Sequence, residues 1–254
     1  MSHLQSLAGQ TVLVTGASGG IGAAIVERLS TEGARPIIHY GRDRQRAEAL
    51  LQKLGGNGLI VHADLSSPDG AFALWRGALA AAGRIHAVVN NAGIRTEISI
   101  DADPSDWRAA WQKEFQVNFF AAADLCKEAL VHFKQHGGGR IVNMASRAGQ
   151  RGYAADAMPY GATKAALVNL TKSIARSFGR DRVVAVSIAP GWVRTEMAEE
   201  FVTRHGKDAA VGDIPIGEMA EPAEIAELVA FLLRPSQASV NGATFDVNGG
   251  SYIR

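Results

Sequence analysis

The sequence predicts an α/β fold, a doubly wound parallel sheet of about seven strands with helices on both faces. The first observation is that short apolar runs alternate along the chain with longer stretches in which apolar residues recur at helical spacing. The second is that no linker, low-complexity tract or solenoid repeat interrupts this alternation. We therefore expect a single domain over residues 1–254.

The predicted strands and helices follow one another in a regular order. The strands are Thr11–Thr15, Pro36–Tyr40, Gly58–His62, His86–Asn90, Arg140–Met144, Val183–Ile188 and Ala243–Val247. The helices are Ile21–Glu32, Arg44–Leu54, Pro68–Ala82, Pro104–Gln135, Pro159–Phe178 and Pro222–Leu233. In the first helix Ile21, Ile25 and Leu29 share one face, as a helix packed on a sheet requires. Consecutive glycines, Gly137 to Gly139, are expected to end the longest helix.

The composition indicates a globular, soluble protein, with 47% apolar and 20% charged residues. A net charge of +1 with scattered basic residues gives no reason to expect nucleic acid as a partner. No apolar run approaches the ~18 residues of a membrane span, and Met1–Gln10 lacks the features of a signal peptide. The single cysteine, Cys126, allows no internal disulfide, so we expect a cytoplasmic protein with this thiol packed in its core.

A glycine-rich turn joins the first predicted strand to the first helix. Gly16, Gly20 and Gly22 follow a Gly-x-x-x-Gly-x-Gly spacing, a variant of the usual Gly-x-Gly-x-x-Gly. Glycines let the backbone approach a phosphate closely, and a helix N-terminus presents free N–H groups to it. We expect a Rossmann-type dinucleotide site here, with a ligand-free turn as the alternative. No Gly-Lys-Ser/Thr follows, which disfavours a phosphate-hydrolysing loop.

The tip of the second strand bears on the choice of cofactor. An acidic residue there would bind an adenosine ribose hydroxyl, but the chain has Arg42, whose guanidinium suits a 2′-phosphate. This favours NADP(H) over NAD(H). Against it, Gly19 supplies no second cation in the turn, and Asp43 offers a carboxylate. Alternatively, Arg42 is a solvated residue of a basic loop with Arg44 and Arg46.

Tyr160 and Lys164 are four residues apart at the predicted start of a helix, just after Pro159. That spacing puts both side chains on one helical face. A free phenol titrates near pH ~10, and a nearby cation lowers that pKa. The pair therefore suits general acid–base chemistry on a carbonyl or an alcohol. The alternative is a half-buried tyrosine beside a solvated lysine.

Further motifs follow the later strands in order. Asn90–Gly93 closes the fourth strand, and Asn118 lies within the long helix. Ser146 follows the fifth strand, fourteen positions before Tyr160, and Pro190–Thr195 follows the sixth. Together with the glycine turn, these motifs make the chain resemble the short-chain dehydrogenase/reductase family over essentially its whole length.

The resemblance implies a role for each residue of the predicted catalytic set. Tyr160 would be the general acid–base, and Lys164 would hold the nicotinamide ribose and lower the pKa of the tyrosine. Ser146 would hydrogen-bond the substrate oxygen, and Asn118 would bind a water that links Lys164 to solvent. Alternatively, Asn118 caps a kink in the helix and Ser146 is a turn hydroxyl.

The resemblance also implies a cofactor site and a substrate pocket. The cofactor would contact Gly16, Ser18, Gly19, Gly20, Ile21, Gly22, Tyr40, Arg42, Asp64, Leu65, Asn91, Ala92, Gly93, Tyr160, Lys164, Pro190, Gly191, Val193 and Thr195. Candidate pocket residues are Arg95, Arg147, Gln150, Tyr153 and Trp192. No metal is expected, because His39, His62 and His86 lack ligand spacing and suit core or edge positions. The Ser146–Tyr160 spacing is one residue longer than the commonest in the family, which makes that pocket wall atypical.

The implied activity is hydride transfer between NADP(H) and a small carbonyl or alcohol substrate. The motifs Pro190–Met197 and Asn241–Gly250 look most like those of 3-oxoacyl carrier-protein reductases, whose relatives take varied substrates. Residues 194–218 would form a lid, and a homotetramer would be built through the long helix, the Tyr160 helix and the last strand. Two alternatives remain. One is an NAD-dependent sugar, polyol or secondary-alcohol dehydrogenase. The other is a catalytically idle nucleotide-binding regulator, against which the intact Ser146, Tyr160 and Lys164 argue.

Overall fold

A computed structural model describes residues 6–254 and contains seven strands in one sheet. The strands are β1 (Thr11–Val14), β2 (Arg35–Tyr40), β3 (Leu59–His62), β4 (Ala87–Asn90), β5 (Gly139–Met144), β6 (Val183–Pro190) and β7 (Thr244–Val247). All neighbouring strands are parallel, in the order β3-β2-β1-β4-β5-β6-β7. The predicted fold class is confirmed. Of the segment Met1–Gln10, for which no signal peptide is predicted, residues 1–5 lie outside the described part.

Helices cover both faces of the sheet. They are α1 (Gly20–Thr31), α2 (Arg44–Lys53), α3 (Gly70–Ala82), α4 (Pro104–Phe115), α5 (Ala121–Gln135), α6 (Ala148–Arg151), α7 (Met158–Phe178), α8 (Glu196–His205), α9 (Lys207–Val211) and α10 (Pro222–Leu233). Helices α1, α2 and α10 pack on one face, and α3, α5 and α7 pack on the other. Among residues 6–254, no helix has both the length and the apolar character needed to cross a bilayer.

Strand β1 illustrates why the predicted strands are continuous apolar runs. Successive side chains of a strand point to opposite faces, so Val12 and Val14 join one hydrophobic cluster and Leu13 joins the other. All three side chains are buried. Because helices cover both faces, the strand is apolar from Val12 to Val14, and its one polar residue, Thr11, lies at its start.

The strand order reverses at β1, and this reversal creates the crevice for the site. From β1 the chain first adds β2 and β3 on one side, and then returns to add β4 to β7 on the other. The loops after β1 and β4 therefore diverge at the carboxyl edge of the sheet. Ligands of doubly wound sheets bind at such switch points.

The long helical region predicted over Pro104–Gln135 is present and contains one irregular turn. It is continuous in direction, but a π-helical turn, Gln116–Phe120, separates α4 from α5. The predicted helical region is confirmed over Pro104–Gln135, and the π turn within it inserts one residue without ending the helix. Asn118 lies in this wide turn, where its side chain bonds the backbone of Ile94.

Candidate active site

The predicted catalytic residues meet beside the carboxyl end of β5. Ser146 follows β5 by two residues, and α7 starts close enough to β5 that Ser146 lowers the pKa of the Tyr160 phenol. Lys164 lies one turn further along α7, with its Nζ 5.6 Å from the centroid of the Tyr160 ring. Tyr160 stays partly exposed, whereas Lys164 is buried. The Tyr160 side chain is thus partly exposed at the site, and the Lys164 ammonium is buried next to it.

Lys164 and Asn118 are fixed by hydrogen bonds to the backbone. Lys164 Nζ donates to the carbonyl of Met144 at 2.8 Å. Asn118 Oδ1 accepts from the N–H of Ile94 at 2.8 Å, and its Nδ2 donates to the carbonyl of Ile94 at 2.9 Å. A side chain on Gly93 would meet both groups, at 3.3 Å from Lys164 Nζ and 3.4 Å from Asn118 Oδ1. The two predicted relay residues are therefore brought together, while the water between them stays a prediction.

The pKa values of the pair differ from the expectation drawn from spacing. Burial raises the pKa of Tyr160 to about 12, against a lowering effect of the Ser146 hydrogen bond. Burial also lowers the pKa of Lys164 to about 8, so that a larger fraction of its amine is uncharged near neutral pH than in an exposed lysine. The raised pKa of Tyr160 in the protein alone follows from burial, which removes water from the phenolate, and the lowering of this pKa by Lys164 stays a prediction.

The glycine turn is held in place by the ends of β2 and β4. The N–H of Gly16 donates to His39 Nδ1 at 3.0 Å, and His39 Nε2 lies 3.1 Å from the carbonyl of Ala63. Burial lowers the pKa of His39 to about 4, so its ring is neutral and can accept this bond. Asn91 Nδ2 donates to the carbonyl of Thr15 at 2.9 Å. His39 is a buried histidine, as predicted, and it also positions the turn.

The turn fits a dinucleotide phosphate. Gly16 and Gly20 adopt φ of 61° and 53°, a region that side chains disfavour. Gly19, the N-cap of α1, offers no side-chain oxygen to the first N–H groups of the helix, which leaves them available to an anion. A Cβ on Gly20 would lie 3.4 Å from Cγ2 of Thr195. The turn and the segment after β6 therefore face one another across a single crevice.

The residues predicted to meet the adenosine half lie at the ends of β2 and β3. Tyr40 and Leu65 are buried, whereas Arg42 is exposed. Asp64 accepts hydrogen bonds from the N–H and the hydroxyl of Ser66. Asp43 caps α2 by accepting from the N–H of Arg46. Neither carboxylate is left without a partner.

Arg46 contributes a cation to the glycine turn. From the sequence alone, we assign Arg46 only to a solvated basic loop. Its Nη1 lies 3.6 Å from the position of a Cβ on Gly19 and donates to Glu196 at 2.6 Å. Its Nε is 3.2 Å from Asp43 Oδ2. The charge that Gly19 does not supply is therefore present, contributed by α2. Sequence spacing gives no signal for it, because the contact depends on how α2 packs.

The segment predicted to surround the nicotinamide is close-packed. A Cβ on Gly191 would lie 3.0 Å from Cα of Asn248, so no larger residue fits there. Val193 is buried and forms a bridge with Ala220, and Thr195 is the N-cap of α8. Pro190 ends β6. These residues, together with Ala92 and Gly93 after β4, line the carboxyl edge between the turn and Tyr160.

A cavity of about 480 Å³ adjoins this group. It is lined by Arg95, Arg147, Arg151, Gly152, Tyr153, Ala154, Trp192, Phe201, Ala209 and Asp213. Four of the five candidate pocket residues are among them, and the Tyr153 ring is 5.8 Å from the Tyr160 ring. Gln150 is the exception: its Nε2 donates to Asp246 Oδ1 at 2.9 Å, because α6 turns this side chain toward β7. The assignment of Gln150 to the cavity wall is wrong.

Cys126 and His86 occupy the structural positions predicted for them from the sequence. Cys126 is buried, and burial raises the pKa of its thiol to about 12, so it is a core residue, as predicted. His86 Nδ1 accepts from the N–H of Thr11 at 2.9 Å, at the edge of the sheet. Within residues 6–254, no group of three or more His, Cys, Asp or Glu residues is arranged to hold a metal ion.

A family model described as enoyl-(acyl carrier protein) reductase matches residues 16–252, which include every motif described above. The chain belongs to the short-chain dehydrogenase/reductase family. Members of this family are oxidoreductases, and this short-chain dehydrogenase/reductase is an enzyme acting on C=O or CH–OH groups.

Known short-chain dehydrogenase/reductases are similar to the chain over almost its full length. The 3-oxoacyl-[acyl-carrier-protein] reductase FabG of Vibrio cholerae is 33% identical over 248 residues, covering 98% of this chain and 99% of that relative. The FabG of Pseudomonas aeruginosa is 34% identical over 251 residues, with coverage of 98% and 99%. The crystal structure of a dehydrogenase/reductase from Sinorhizobium meliloti 1021 has a TM-score of 0.86 at 31% identity, covering 99% of this chain and 98% of the other.

Several residues of this short-chain dehydrogenase/reductase site carry no sequence signal. Phe201 and Asp213 reach the cavity from the segment after β6, where the apolar pattern is irregular. Glu114 is buried beside the site, where its Oε1 accepts from the N–H of Thr96 and its charge raises the pKa of both Tyr160 and Lys164. A glutamate in a helical pattern normally indicates the solvent face.

Proposed function

We propose that the enzyme reduces a small carbonyl compound with NADPH and that Tyr160 is the general acid. One observation carries the proposal: Tyr160 lies with Lys164 Nζ 5.6 Å from its ring centroid and the cavity residue Tyr153 5.8 Å from it, at the end of the sheet where Ser146 follows β5. The hydroxyl groups of Ser146 and Tyr160 are donors that a carbonyl oxygen can use. The raised pKa of Tyr160 keeps its proton in place at neutral pH, as a general acid requires.

The proposed chemistry divides the work among these side chains. When bound, the nicotinamide cofactor supplies the hydride. Ser146 and Tyr160 donate hydrogen bonds to the carbonyl oxygen, where negative charge grows during the reaction. Tyr160 then transfers its proton to that oxygen. Lys164, held by the Met144 carbonyl, stabilises the phenolate that remains, and Asn118 keeps the neighbouring backbone of Ile94 in place.

The direct test is turnover of a panel of aldehydes, ketones and alcohols with NADPH, NADH and their oxidised forms. We expect reduction to dominate at neutral pH. Conversion only with NAD(H) would instead support the alternative of a sugar, polyol or secondary-alcohol dehydrogenase. Tight cofactor binding without any conversion would support the nucleotide-binding regulator and contradict the proposal.

The pH profile is expected to follow Lys164. Its pKa is lowered to about 8, so the ammonium is present below this pH and is lost as the pH rises through it. Loss of that charge removes support for the Tyr160 phenolate. We expect kcat/KM for reduction to be steady through neutral pH and to fall above about pH 8. Initial rates across buffers check this, with the cofactor Kd at each pH as the control. A profile that stays flat well into the alkaline range would contradict it.

The preference for NADP(H) is proposed to come from Arg42 and Arg46. Arg42 is exposed at the tip of β2, and Arg46 stands beside Gly19. Guanidinium groups suit a 2′-phosphate, and a charge-assisted hydrogen bond contributes enough to change affinity about 10- to 100-fold.

Alanine variants test this assignment. Arg42→Ala and Arg46→Ala should each lower kcat/KM with NADPH about 10- to 100-fold and leave the value with NADH nearly unchanged. The matched control is Arg44→Ala, since Arg44 is 73% exposed and pairs only with Glu48 at 2.7 Å among the described residues. If neither Arg42→Ala nor Arg46→Ala alters NADPH kinetics, the 2′-phosphate assignment is wrong.

The segment 194–218 is proposed to act as the lid of a single domain. It contains α8 and α9, and it contributes Phe201, Ala209 and Asp213 to the cavity. Its side chains thus form part of the cavity wall. A cytoplasmic location stays a prediction from the sequence.

We also propose that the enzyme is a homotetramer built through α4, α5, α7 and β7. Phe120 and Val131 are 49% and 54% exposed on this helical surface, and such side chains favour contact with another copy. Sedimentation should give four times the chain mass of 26.8 kDa. Phe120→Asp and Val131→Asp should lower the measured mass, whereas Ile100→Asp, at an exposed residue before α4, should not. A monomeric wild-type protein would contradict the proposal.

A further inference from the structure

The cavity beside Tyr160 carries an excess of positive charge. Its lining includes three guanidinium groups, Arg95, Arg147 and Arg151, and one carboxylate, Asp213. Arg147 is only 4% exposed, and the side chain of Arg95 is 10% exposed. Burying a cation is unfavourable unless an anion compensates it. A concave site with this composition is suited to an anionic ligand.

Asp213 is shared between two of the arginines and cannot neutralise both. Nη1 of Arg147 lies 3.2 Å from each carboxylate oxygen, and Nη1 of Arg151 lies 2.9 Å from Oδ2. Burial lowers the pKa of Arg147, the charge on Arg151 lowers it further, and Asp213 only partly opposes both effects. Arg147 is thus a buried cation that shares its one carboxylate counterion, Asp213, with Arg151.

Arg95 is held in position but keeps a hydrogen-bond donor without an acceptor. Its Nη1 donates to Glu97 Oε1 at 2.6 Å, and its guanidinium carbon lies 5.4 Å from the ring centroids of both Tyr153 and Phe201. Its Nε is buried and has no hydrogen-bond partner among residues 6–254. An unsatisfied donor on a charged group is costly to bury, so the Arg95 guanidinium is incompletely compensated and favours a further anion beside it.

These cations are close to the reacting centre along the chain and in space. Arg147 directly follows Ser146, and Arg95 packs over Tyr153, whose ring is 5.8 Å from the Tyr160 ring. An anion between the two guanidinium groups is therefore separated from the carbonyl by a short carbon chain. The remaining lining is aromatic, from Trp192 and Phe201, and suits the apolar part of such a molecule.

We propose that the cavity binds an anionic group of the substrate, a carboxylate or a phosphate, and that Arg95 and Arg147 hold it, so that the enzyme reduces small oxo acids or oxo phosphates. This inference rests on the proposed function for the chemistry, but the binding of the anion is independent of turnover. Asp213 pairs with both Arg147 and Arg151 and partly offsets the repulsion between these two guanidinium groups.

The kinetic test compares acids with uncharged analogues of the same skeleton. The probes are 3-oxo-3-phenylpropanoate and 2-oxo-4-phenylbutanoate against their methyl esters, and dihydroxyacetone phosphate against dihydroxyacetone. We expect kcat/KM for the anion to exceed that for its neutral partner about 10- to 100-fold. The two kinds of pair decide between carboxylate and phosphate. Equal values for anion and neutral partner in all pairs would overturn the proposal and leave the reductase function intact.

Variants assign the effect to the cavity arginines. Arg95→Gln should lower kcat/KM for the preferred anion about 10-fold or more and leave that for the neutral partner nearly unchanged. Because Arg147 is almost fully buried and its variants risk misfolding, Arg151→Gln at the partly exposed mouth is the second variant, with a smaller loss expected. Arg204→Gln is the matched control, since Arg204 also pairs with Glu97, at 3.4 Å, but is outside the cavity lining. If Arg95→Gln lowers both partners alike, Arg95 does not bind the anion.

A binding measurement separates failure of this inference from failure of the proposed function. The cofactor-saturated enzyme is titrated calorimetrically with 4-phenylbutanoate and with 4-phenylbutanamide, neither of which can be reduced. We expect the acid to bind about 10-fold or more tightly, and Arg95→Gln to remove the difference. Equal affinities for acid and amide would overturn the anion site even if carbonyls are reduced. Selective acid binding without any reduction would uphold the site and overturn the reductase function.

Discussion

Tyr160→Phe is expected to lower kcat for carbonyl reduction by about 10³-fold or more, because it removes the proposed proton donor and one hydrogen bond to the developing oxyanion. Cofactor affinity should stay close to that of the wild type. The ring itself is retained, and Phe fills the space of Tyr beside Tyr153 and Lys164. Steady-state rates and cofactor fluorescence titration measure the two quantities.

Tyr252→Phe is the matched control for this change. It removes a phenol hydroxyl from the C-terminal segment, where the described contacts involve the backbone of Tyr252 rather than its hydroxyl. Its rates should equal those of the wild type. Activity in Tyr160→Phe comparable with that of Tyr252→Phe would remove Tyr160 from the mechanism.

Gly22→Ala is expected to abolish most cofactor binding and to destabilise the protein. A Cβ at this position would collide with the carbonyl oxygen of Gly16 and lie 2.7 Å from Asn91 Nδ2 and 2.9 Å from Cα of Ala17. Overpacking of this kind costs about 1–3 kcal/mol. We expect the cofactor Kd to rise about 10- to 100-fold, and the Tm to fall by about 2–12 °C.

Gly19→Ala, in the same turn, is the control. Gly19 has an extended φ of −167°, and a Cβ there would make only an ordinary contact of 3.6 Å with Arg46 Nη1. Its cofactor Kd and Tm should remain near the wild-type values. Equal losses in both variants would mean that the turn requires glycine at both positions. The close contacts of a Cβ on Gly22 would then not explain the loss.

The sheet could be predicted from the sequence because a strand that helices cover on both faces is a continuous run of apolar residues. Val12, Leu13 and Val14 are all buried, and such a run has no counterpart in a surface strand. The closeness of Tyr160 and Lys164 could be predicted because their spacing of four residues places them on one helical face, whereas the role of Ser146 is implied by the family resemblance and stays a prediction. In both cases the information is local in the chain.

What could not be predicted depends on contacts between distant segments. The π turn at Asn118 inserts a residue without disturbing the apolar pattern enough to mark it. Arg46 becomes part of the phosphate turn only through the packing of α2 and its pair with Glu196. The direction of the Tyr160 pKa shift was expected from a nearby charge, whereas burial, which spacing does not reveal, has the larger effect.

The hydrogen bonds between Asn118 and Ile94 constrain how this enzyme can change its substrate. Ile94 is joined by one peptide bond to Arg95, just as Ser146 is joined to Arg147. In the proposed mechanism, Ser146 and the backbone segment held by Asn118 therefore each have a direct neighbour, Arg147 or Arg95, that is proposed to bind the substrate. A backbone shift that enlarges the cavity also moves the catalytic atoms, so changes of selectivity at constant rate are confined to side-chain replacements or to the segment after β6.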